Sequence, residues 1–468
     1  MSDTIVVVLY FLATMWIGFR SKSQETKDSY FLGKHNLSWV LLLASLVATE
    51  TSSLTFLSVP ALSYKGDFSF ITLAIGYLLG RIAVAFFLLP DYFAHGTLSI
   101  YSYIGSRSSV LAQRLLSLIF TISRLLGDGI RLYVTSIPLV FLAAKLGFQL
   151  ESQLLNGIAI LFLLTIVTTA YSVYGGFRAI VWTDTLQLCI YLLGGFFALF
   201  LLLNLPLSTI DPMKWNVFHL DWSAKDPYFL PFALMGGFFL SLGSHGTDLM
   251  LVQRVLAAKD LNQARKVLIG SGILVIFQFA LFLTIGVFLF SFFQGKNVAG
   301  DEAFSKFLVE ELPSPILGLV LSGILASAMS TLSSTINSLS LTWSLDWKTS
   351  FSPKILSWGF GFLLFLSSLF PFFLQKEWQA GLLETGLTVF SYTLGPSLGV
   401  FLFAKFRLRY SNLVLVFLLS LLTNLYMAKT LVLPFTVLVP LGLIWFFVYF
   451  FVFKLLASIR LGLAKRLE

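Results

Sequence analysis

The sequence predicts an all-α integral membrane protein with about 13 transmembrane helices of roughly 20 residues each. Of its 468 residues, 57% are hydrophobic and only 11% are charged, whereas a soluble protein carries about 25% charged residues. Its apolar runs exceed about 18 residues, which suits helices and is too long for the strands of a membrane barrel. This composition excludes a soluble enzyme, a disordered chain and a disulfide-linked secreted domain. The single cysteine, Cys189, cannot form an internal disulfide.

Hydropathy windows of roughly 20 residues locate the predicted spans along the chain. They cover residues 4–20, 39–64, 68–93, 113–146, 154–172, 180–204, 229–250, 269–293, 313–344, 355–374, 381–404, 410–427 and 432–454. The first span lies where a signal peptide would lie, but it lacks a basic N-terminal region and a small-residue cleavage site. We therefore expect it to be a helix of the protein.

The lysines and arginines in the predicted loops give the orientation in the membrane, because cytoplasmic loops carry an excess of both. Of the 31 such residues, 20 fall in one set of alternate loops and the C-terminal tail, Arg178 and Arg254 among them, and 8 fall in the other set. This bias predicts a multi-pass protein of the plasma or bacterial inner membrane, with the N-terminus outside and the C-terminus cytoplasmic. The net charge of +9 then belongs to the cytoplasmic face. The expected partner is the lipid bilayer, and no nucleic acid is expected.

The ten spans between the first and the last two divide into two sets of five. Because five is odd, the second set begins on the opposite side of the membrane, which predicts an inverted-topology repeat. The first repeat is predicted to span residues 39–204 and the inverted repeat residues 229–404, with an extracellular loop at 205–228 between them. Residues 1–38 are predicted to form an extra N-terminal helix and a cytoplasmic loop. Residues 405–468 are predicted to form two C-terminal helices and a cytoplasmic tail.

Both predicted repeats begin with a span that polar residues interrupt. Residues 49–53 are Thr-Glu-Thr-Ser-Ser within apolar sequence, and the matching place in the second repeat has Gly-Gly at 236–237 and Gly-Ser-His-Gly-Thr-Asp at 243–248. Interrupted helices at corresponding positions of two repeats indicate a binding site in transporters. The alternative for either stretch alone is a helix-packing surface of small residues.

The span 313–344 carries a row of hydroxyl side chains along one helix face. The row consists of Ser327, Ser330, Thr331, Ser334 and Ser338. Together with carbonyls freed by an interrupted helix, such oxygens can bind sodium. The alternative is that each hydroxyl bonds back to a carbonyl of its own helix. The four histidines lie far apart in the sequence and do not indicate a transition-metal site.

Ionisable residues within membrane spans indicate functional sites, because their burial is costly. They are Glu50, Arg81, Asp91, Arg124, Asp128, Arg131, Asp184, Asp248 and Glu384. The trio Arg124, Asp128 and Arg131 has the spacing of ion pairs along one helix face, so a purely structural ion network is an alternative there. The residues near predicted span ends, among them Arg81 and Asp248, have an interfacial position as their alternative.

Five motifs in order resemble the sodium:solute symporter family, which includes sodium-coupled carriers of sugars, proline, sialic acid, vitamins and iodide. They are DSYFLGKHNLSW at 28–39, GYLLGRI at 76–82, YGGFRAIVWTDTLQ at 174–187, GTDLMLVQRVLAAK at 246–259 and MSTLSSTINSLS at 329–340. The resemblance covers the chain from Asp28 to about Ala404. It implies a LeuT-type fold of five helices plus an inverted five, with an extra N-terminal helix.

The resemblance also implies site residues. The main sodium site is expected at the carbonyls of Ala48 and Thr51 and at Ser327, Ser330 and Thr331. A second sodium site is expected at Asp184, Ser333 and Ser334, with Ser330 shared. The solute site is expected at Glu50, Ser52 and Thr55, to which we add Arg131 and His245, and an inner gate is expected at Met250. Sugar carriers of the family have an aromatic residue at the gate position. The methionine therefore argues against a sugar as the solute.

We expect a sodium-coupled secondary transporter of a small polar or anionic organic solute that works by alternating access. Sodium is the expected coupling ion, no organic cofactor is expected, and the protein is not expected to be an enzyme. One alternative is proton coupling in the same fold, with Glu50 or Asp184 titrating. The other is a transporter-like sensor or a membrane-embedded enzyme. A sensor would carry a long cytoplasmic domain, and an enzyme would need a nucleophile beside a base; neither is evident in the sequence.

Overall fold

The computed structural model describes residues 2–21, 26–145, 147, 150–223, 225–294, 298, 300–373, 382–405 and 413–467. Ten helices in these ranges are long and apolar enough to cross a membrane, or eleven when one bent pair counts as a single span. The predicted span ends at 146, 374, 381 and 410–412 lie outside the described residues, as does the side chain of Glu384.

The described residues of the first half of the chain form nine α-helices and one 3-10 helix, Gly33–His35. The α-helices are α1 (Ser2–Arg20), α2 (Lys27–Leu32), α3 (Trp39–Glu50), α4 (Ser53–Lys65), α5 (Phe70–Phe87), α6 (Leu89–His95), α7 (Ile100–Arg107), α8 (Val110–Lys145) and α9 (Gln153–Leu203).

In the second half, the ranges that the structure describes contain a 3-10 helix, Pro212–Trp215, and nine further α-helices. These are α10 (Leu230–Thr247), α11 (Leu249–Leu256), α12 (Leu261–Phe292), α13 (Gly300–Glu311), α14 (Ile316–Leu345), α15 (Pro353–Phe373), α16 (Leu382–Lys405), α17 (Leu413–Leu431) and α18 (Phe435–Leu467).

The predicted interruption of the first repeat is confirmed as a break between α3 and α4, whose axes differ by 64°. Thr51 and Ser52 have extended backbone conformations at the break. The Ser52 hydroxyl accepts a hydrogen bond from the N–H of Thr55 at 3.3 Å, so it caps the restarted helix. A break of this kind frees backbone carbonyls at the end of α3, which can then bind something other than their own helix.

The predicted interruption of the second repeat is confirmed at Asp248, between α10 and α11, but it is wrong for Gly236 and Gly237, which lie within the continuous helix α10. Asp248 has an extended conformation there, and its Oδ1 accepts a hydrogen bond from the N–H of Met250 at 3.0 Å. A carboxylate at this N-terminus is favoured by the helix dipole. Each of the two breaks therefore lies within one polar stretch that the sequence predicted, 49–53 or 243–248.

The single helix α9 corresponds to two predicted spans, 154–172 and 180–204. It has 51 residues, or about 77 Å at 1.5 Å per residue, more than twice the thickness of a hydrocarbon core. The helix is kinked at Gly176, whose φ of 59° lies in the left-handed region that favours glycine. At the neighbouring Gly175, an added Cβ would lie 2.5 Å from the carbonyl oxygen of Gly18. These glycines let α1 cross α9 at the kink.

The helix order of residues 39–204 recurs in residues 229–404. Each set begins with a broken helix. Later in each set a short helix precedes a long one: α7 precedes α8 in the first set, and α13 precedes α14 in the second. Helix α14 lies at the centre of the molecule, and 89% of its most apolar 18-residue segment is buried. Its hydroxyl row therefore faces protein rather than lipid. The exact boundaries of the five predicted units stay a prediction.

Two contacts fasten the loop at 205–228, which is predicted to be extracellular, to the end of α4. His219 lies between two carboxylates, with its Nε2 at 2.7 Å from Asp67 and its Nδ1 at 2.6 Å from Asp226. The Lys214 ammonium donates to the carbonyls of Tyr64 and Gly66 at 2.7 and 2.8 Å. These carbonyls lack helical partners, so the lysine satisfies the last turn of α4.

The His219 contacts predict a pH-dependent contribution to stability. Partial burial lowers the pKa of His219, but hydrogen bonds to Asp67 and Asp226 outweigh burial, and the net effect raises the pKa. A raised pKa gives a contribution that is complete below about pH 6.5 and is lost as the pH rises through the folded value. We therefore expect His219→Gln to lower the melting temperature by about 1–2 °C more at pH 5.5 than at pH 8.5. His95→Gln is the control, and an equal loss at both pH values would contradict the prediction.

Candidate functional site

A cavity of about 160 Å³ lies between the two helix breaks. All six residues predicted for solute binding and the inner gate line it: Glu50, Ser52, Thr55, Arg131, His245 and Met250. The structure thus brings together side chains from α3, α4, α8, α10 and α11 that are far apart in the sequence. Their individual roles stay predictions.

The predicted main sodium residues converge where α14 passes the end of α3. The Ser330 hydroxyl lies 2.8 Å from the carbonyl oxygen of Ala48 and 3.0 Å from that of Ser327. The Thr331 hydroxyl lies 3.4 Å from the carbonyl oxygen of Thr49. This group offers several uncharged oxygens and no fixed charge, which suits a monovalent cation that prefers oxygen ligands.

Two members of the predicted main sodium group also have other partners. The Thr51 hydroxyl donates to the side-chain oxygen of Gln278 on α12 at 3.0 Å. The Ser327 hydroxyl donates back to the carbonyl of Ile324 at 2.8 Å, as expected for a serine within a helix. The Gln278 side chain thereby links the break in α3–α4 to the cavity wall.

The predicted second sodium residues surround a buried ion pair. The Asp184 Oδ2 lies 3.6 Å from the Arg254 guanidinium and accepts a 2.6 Å hydrogen bond from Ser45. The same guanidinium donates to Ser334, while the Ser333 hydroxyl donates to the Ser330 carbonyl at 3.0 Å. The other Asp184 oxygen, Oδ1, is buried without a hydrogen-bond partner in the described part of the chain. That oxygen is available to a cation.

The ion-pair partner of Asp184 is Arg254, not the basic residue nearest to it in the motif, Arg178. Arg178 is exposed, and Arg254, which we assigned to a cytoplasmic loop, is fully buried in α11. The motif at 246–259 contains Arg254, but a hydropathy window cannot show that a short restarted helix carries it back into the protein. The loop count of basic residues on the cytoplasmic side is reduced accordingly.

Glu50 forms the wall of the cavity and has a partner on each carboxylate oxygen. Oε2 pairs with Arg81 of α5, and Oε1 accepts from His245 Nε2. Arg81 also donates to the Ser271 hydroxyl at 2.7 Å and is fully buried. The interfacial position considered for Arg81 is therefore wrong. This guanidinium neutralises the only acidic residue in the first helix break.

The opposite side of the cavity carries a chain of alternating charges on α8 and at the second helix break. Arg124 pairs with Asp248, and it lies 3.6 Å from Asp128, which Arg131 contacts at 3.1 Å. Asp248 is thus part of an internal network, not an interfacial residue. The trio on α8 pairs as its spacing predicted. Thr335 of α14 donates a 2.6 Å hydrogen bond to Asp128.

A second, smaller cavity shares a wall with the first. The shared residues are Arg124, Asp248, Phe390 and Leu394. Phe390 belongs to α16, and its ring lies 5.3 Å from the Arg124 guanidinium and 5.1 Å from that of Arg131. The second cavity extends to Tyr101 of α7, on the side that the loop charges predict to be cytoplasmic.

The chain is similar in sequence to a transporter family and to several of its members. The model of the sodium:solute symporter family matches residues 30–412. The human sodium/iodide cotransporter is 25% identical over 423 residues, which cover 84% of this chain and 63% of that protein. The sodium/sialic acid symporter SiaT of Proteus mirabilis is 26% identical over 341 residues, 67% of this chain and 64% of that protein. The chain thus spans less than two thirds of these relatives.

Solved structures show the same fold. The substrate-bound outward-open state of a Na⁺-coupled sialic acid symporter matches with a TM-score of 0.80 and 23% identity, covering 95% of this chain and 96% of that one. The nucleobase-cation symporter Mhp1 in a closed conformation matches with a TM-score of 0.61 and 11% identity. The predicted LeuT-type fold is confirmed. The relatives named above are membrane transporters and not enzymes. Because the family model covers most of the chain, the chain belongs to the sodium:solute symporter family.

Proposed function

We propose that this protein couples the entry of sodium to the symport of a small organic anion by alternating access. The observation that carries the proposal is the convergence of hydroxyls from α14 on the carbonyls at the end of α3, beside the central cavity. The two relatives named above, a sodium/iodide cotransporter and a sodium/sialic acid symporter, support sodium as the coupling ion.

The geometry of the main sodium group couples the ion to the cavity. Ala48 and Thr49 supply carbonyl oxygens at the break, and the next residue, Glu50, already lines the cavity. A cation bound there holds α3 against α14 and fixes the shape of the solute site. Because coupling between two ligands is reciprocal, the solute must raise the affinity for sodium by the same factor. A membrane potential of 100 mV supplies about 2.3 kcal/mol for each sodium ion.

The anionic character of the solute is inferred from the charges around the cavity. Glu50 has both oxygens engaged, and Asp248 pairs with Arg124. Arg131 shares Asp128 with Arg124, and its side chain is 23% exposed while that of Arg124 is 5% exposed. A guanidinium carries five N–H donors, and one hydrogen bond of Arg131 to the described residues is present. Its remaining donors match the two oxygens of a carboxylate.

We further propose that Asp184 binds a second sodium ion with Ser333 and Ser334. Its free Oδ1 supports this assignment. The buried Arg254 opposes it in part, because a fixed positive charge 3.6 Å from Oδ2 already compensates the carboxylate. A reversal potential that fits one sodium ion per solute would overturn the second site and leave the first.

The proposed function is tested by uptake into proteoliposomes from a panel of labelled sugars, amino acids, monocarboxylates and inorganic anions. We expect saturable uptake of an organic anion that requires an inward sodium gradient and stops when choline replaces sodium at fixed pH. Uptake that continues in choline and follows a pH gradient would instead support proton coupling through Glu50 or Asp184. A sensor or enzyme would show no accumulation of any solute.

Removal of one hydroxyl from the main sodium group is expected to weaken sodium activation. Ser330→Ala or Thr331→Ala should raise the sodium concentration for half-maximal uptake by about five- to a hundredfold, the equivalent of about 1–3 kcal/mol. The matched control is Ser340→Ala, since Ser340 is buried on the same helix and donates to the Ile336 carbonyl at 2.7 Å. Sodium activation curves of both variants that coincide with the wild type would remove the sodium assignment.

A further inference from the structure

A groove at the end of α1, remote from the transport site, combines two arginines with two tryptophans. It has a volume of about 520 Å³ and is lined by Trp16, Ile17, Arg20, Ser21, Arg178 and Trp182. It forms where α1 crosses α9 just beyond the Gly176 kink. Nothing in the proposed transport mechanism requires this groove, and its residue types are those of a binding site for an amphipathic anion.

The positive charges of the groove have no carboxylate partner among the described residues. Arg20 lies with its guanidinium 5.0 Å from the centre of the Trp16 ring. This contact orients the guanidinium and leaves its N–H donors open. Arg178 is exposed on the opposite wall. Two guanidinium groups with no acidic neighbour in the part of the chain that the structure describes attract a phosphate group, and each can bind it through paired hydrogen bonds.

The tryptophans place the groove at the membrane interface. Trp16 is 61% exposed and Trp182 is 41% exposed, and tryptophans of membrane proteins concentrate at the level of the lipid headgroups. The exposed side chains of Leu12 and Leu9 continue the same helix towards the membrane interior. A polar end beside an apolar surface matches a phospholipid, with its phosphate in the groove and its acyl chains along α1.

We propose that this groove binds the phosphate group of an anionic phospholipid between Arg20 and Arg178. The loop charges predict this end of α1 to be cytoplasmic, and anionic lipids give that leaflet its negative surface potential. Basic pockets between transmembrane helices on the cytoplasmic side are suited to such headgroups. The bound lipid then joins the extra N-terminal helix to the kink of α9.

The test is native mass spectrometry of the full-length protein in mixed micelles that contain equal amounts of phosphatidylglycerol and phosphatidylcholine. The wild type is expected to retain phosphatidylglycerol selectively. The double variant Arg20→Gln/Arg178→Gln should lose that selectivity by about tenfold or more. The charge-matched control is Lys259→Gln/Lys266→Gln, which removes two exposed lysines from the same predicted face and should retain the lipid as the wild type does.

Three results would overturn the proposal. Unchanged retention by the arginine variant would show that the groove does not hold the lipid. An equal loss in the lysine control would show that only the total charge of this face matters. Displacement of the lipid by millimolar inorganic phosphate would show a site for a free anion. Because both arginines are exposed, the melting temperature of the variant in lipid-free detergent should equal that of the wild type, which separates lost binding from lost folding.

Discussion

Glu50→Gln is expected to lower the free energy of unfolding by about 3–5 kcal/mol, because it leaves the fully buried Arg81 guanidinium without its carboxylate. An unpaired charge in a membrane-embedded interior has no water to replace the lost partner. The variant should therefore melt far below the wild type in detergent, with or without sodium. The measurement is denaturant or thermal unfolding of the purified protein, followed by helix content and tryptophan fluorescence.

The double variant Glu50→Gln/Arg81→Gln distinguishes the effect of the unpaired charge from the effect of a changed shape of the site. Replacement of both partners removes the unpaired charge, so we expect it to recover more than half of the stability that the single variant loses. Ser52→Ala is a control at the same helix break and should cost about 1 kcal/mol. A single variant that loses less than about 1 kcal/mol would show that Glu50 does not neutralise Arg81 and is free to bind solute.

Arg131→Gln is expected to lower the apparent affinity for an anionic solute by about ten- to a hundredfold. One charge-assisted hydrogen bond contributes roughly 1.5–3 kcal/mol, and the substitution removes the guanidinium that faces the cavity. Arg131→Lys keeps the charge without the planar pair of donors and should recover part of the affinity. The measurement is the solute concentration for half-maximal uptake at saturating sodium.

Arg114→Gln provides a control on the same helix, because Arg114 lies outside the cavity beside the Trp347 ring at 5.7 Å. It should transport with the affinity of the wild type. If Arg131→Gln folds normally and keeps its half-saturation within about twofold, a difference smaller than one hydrogen bond supplies, the anion is not held by this residue.

The broken helices and the hydroxyl row were predictable from the sequence, because each produces a local signal. Polar residues such as Thr49 and Ser53 interrupt apolar runs, and the serines of α14 recur with the helical period. The family motifs then placed Ser330 near the first break, and the structure brings its hydroxyl to the Ala48 carbonyl. The sequence pattern and the tertiary structure therefore agree for the hydroxyl row of α14 and the first helix break.

The ion pairs between helices could not be predicted, since their partners lie far apart in the sequence. Arg81 is 31 residues from Glu50, and Asp248 is 124 residues from Arg124. A single sequence reports the cost of each buried charge but not the position of its counter-charge. Arg254 was assigned to a loop for the same reason, because only the tertiary structure shows that its side chain contacts Asp184 and Ser334.

The wall that the two cavities share has a consequence for the path of a solute in the transport that we propose. The Arg124–Asp248 pair closes that wall, and attraction between opposite charges weakens as the surrounding dielectric constant rises. Water that reaches the pair from either cavity therefore loosens it, and the looser pair admits more water. An apolar plug of the same size would resist wetting instead. We therefore expect hydration and opening of this wall to reinforce each other.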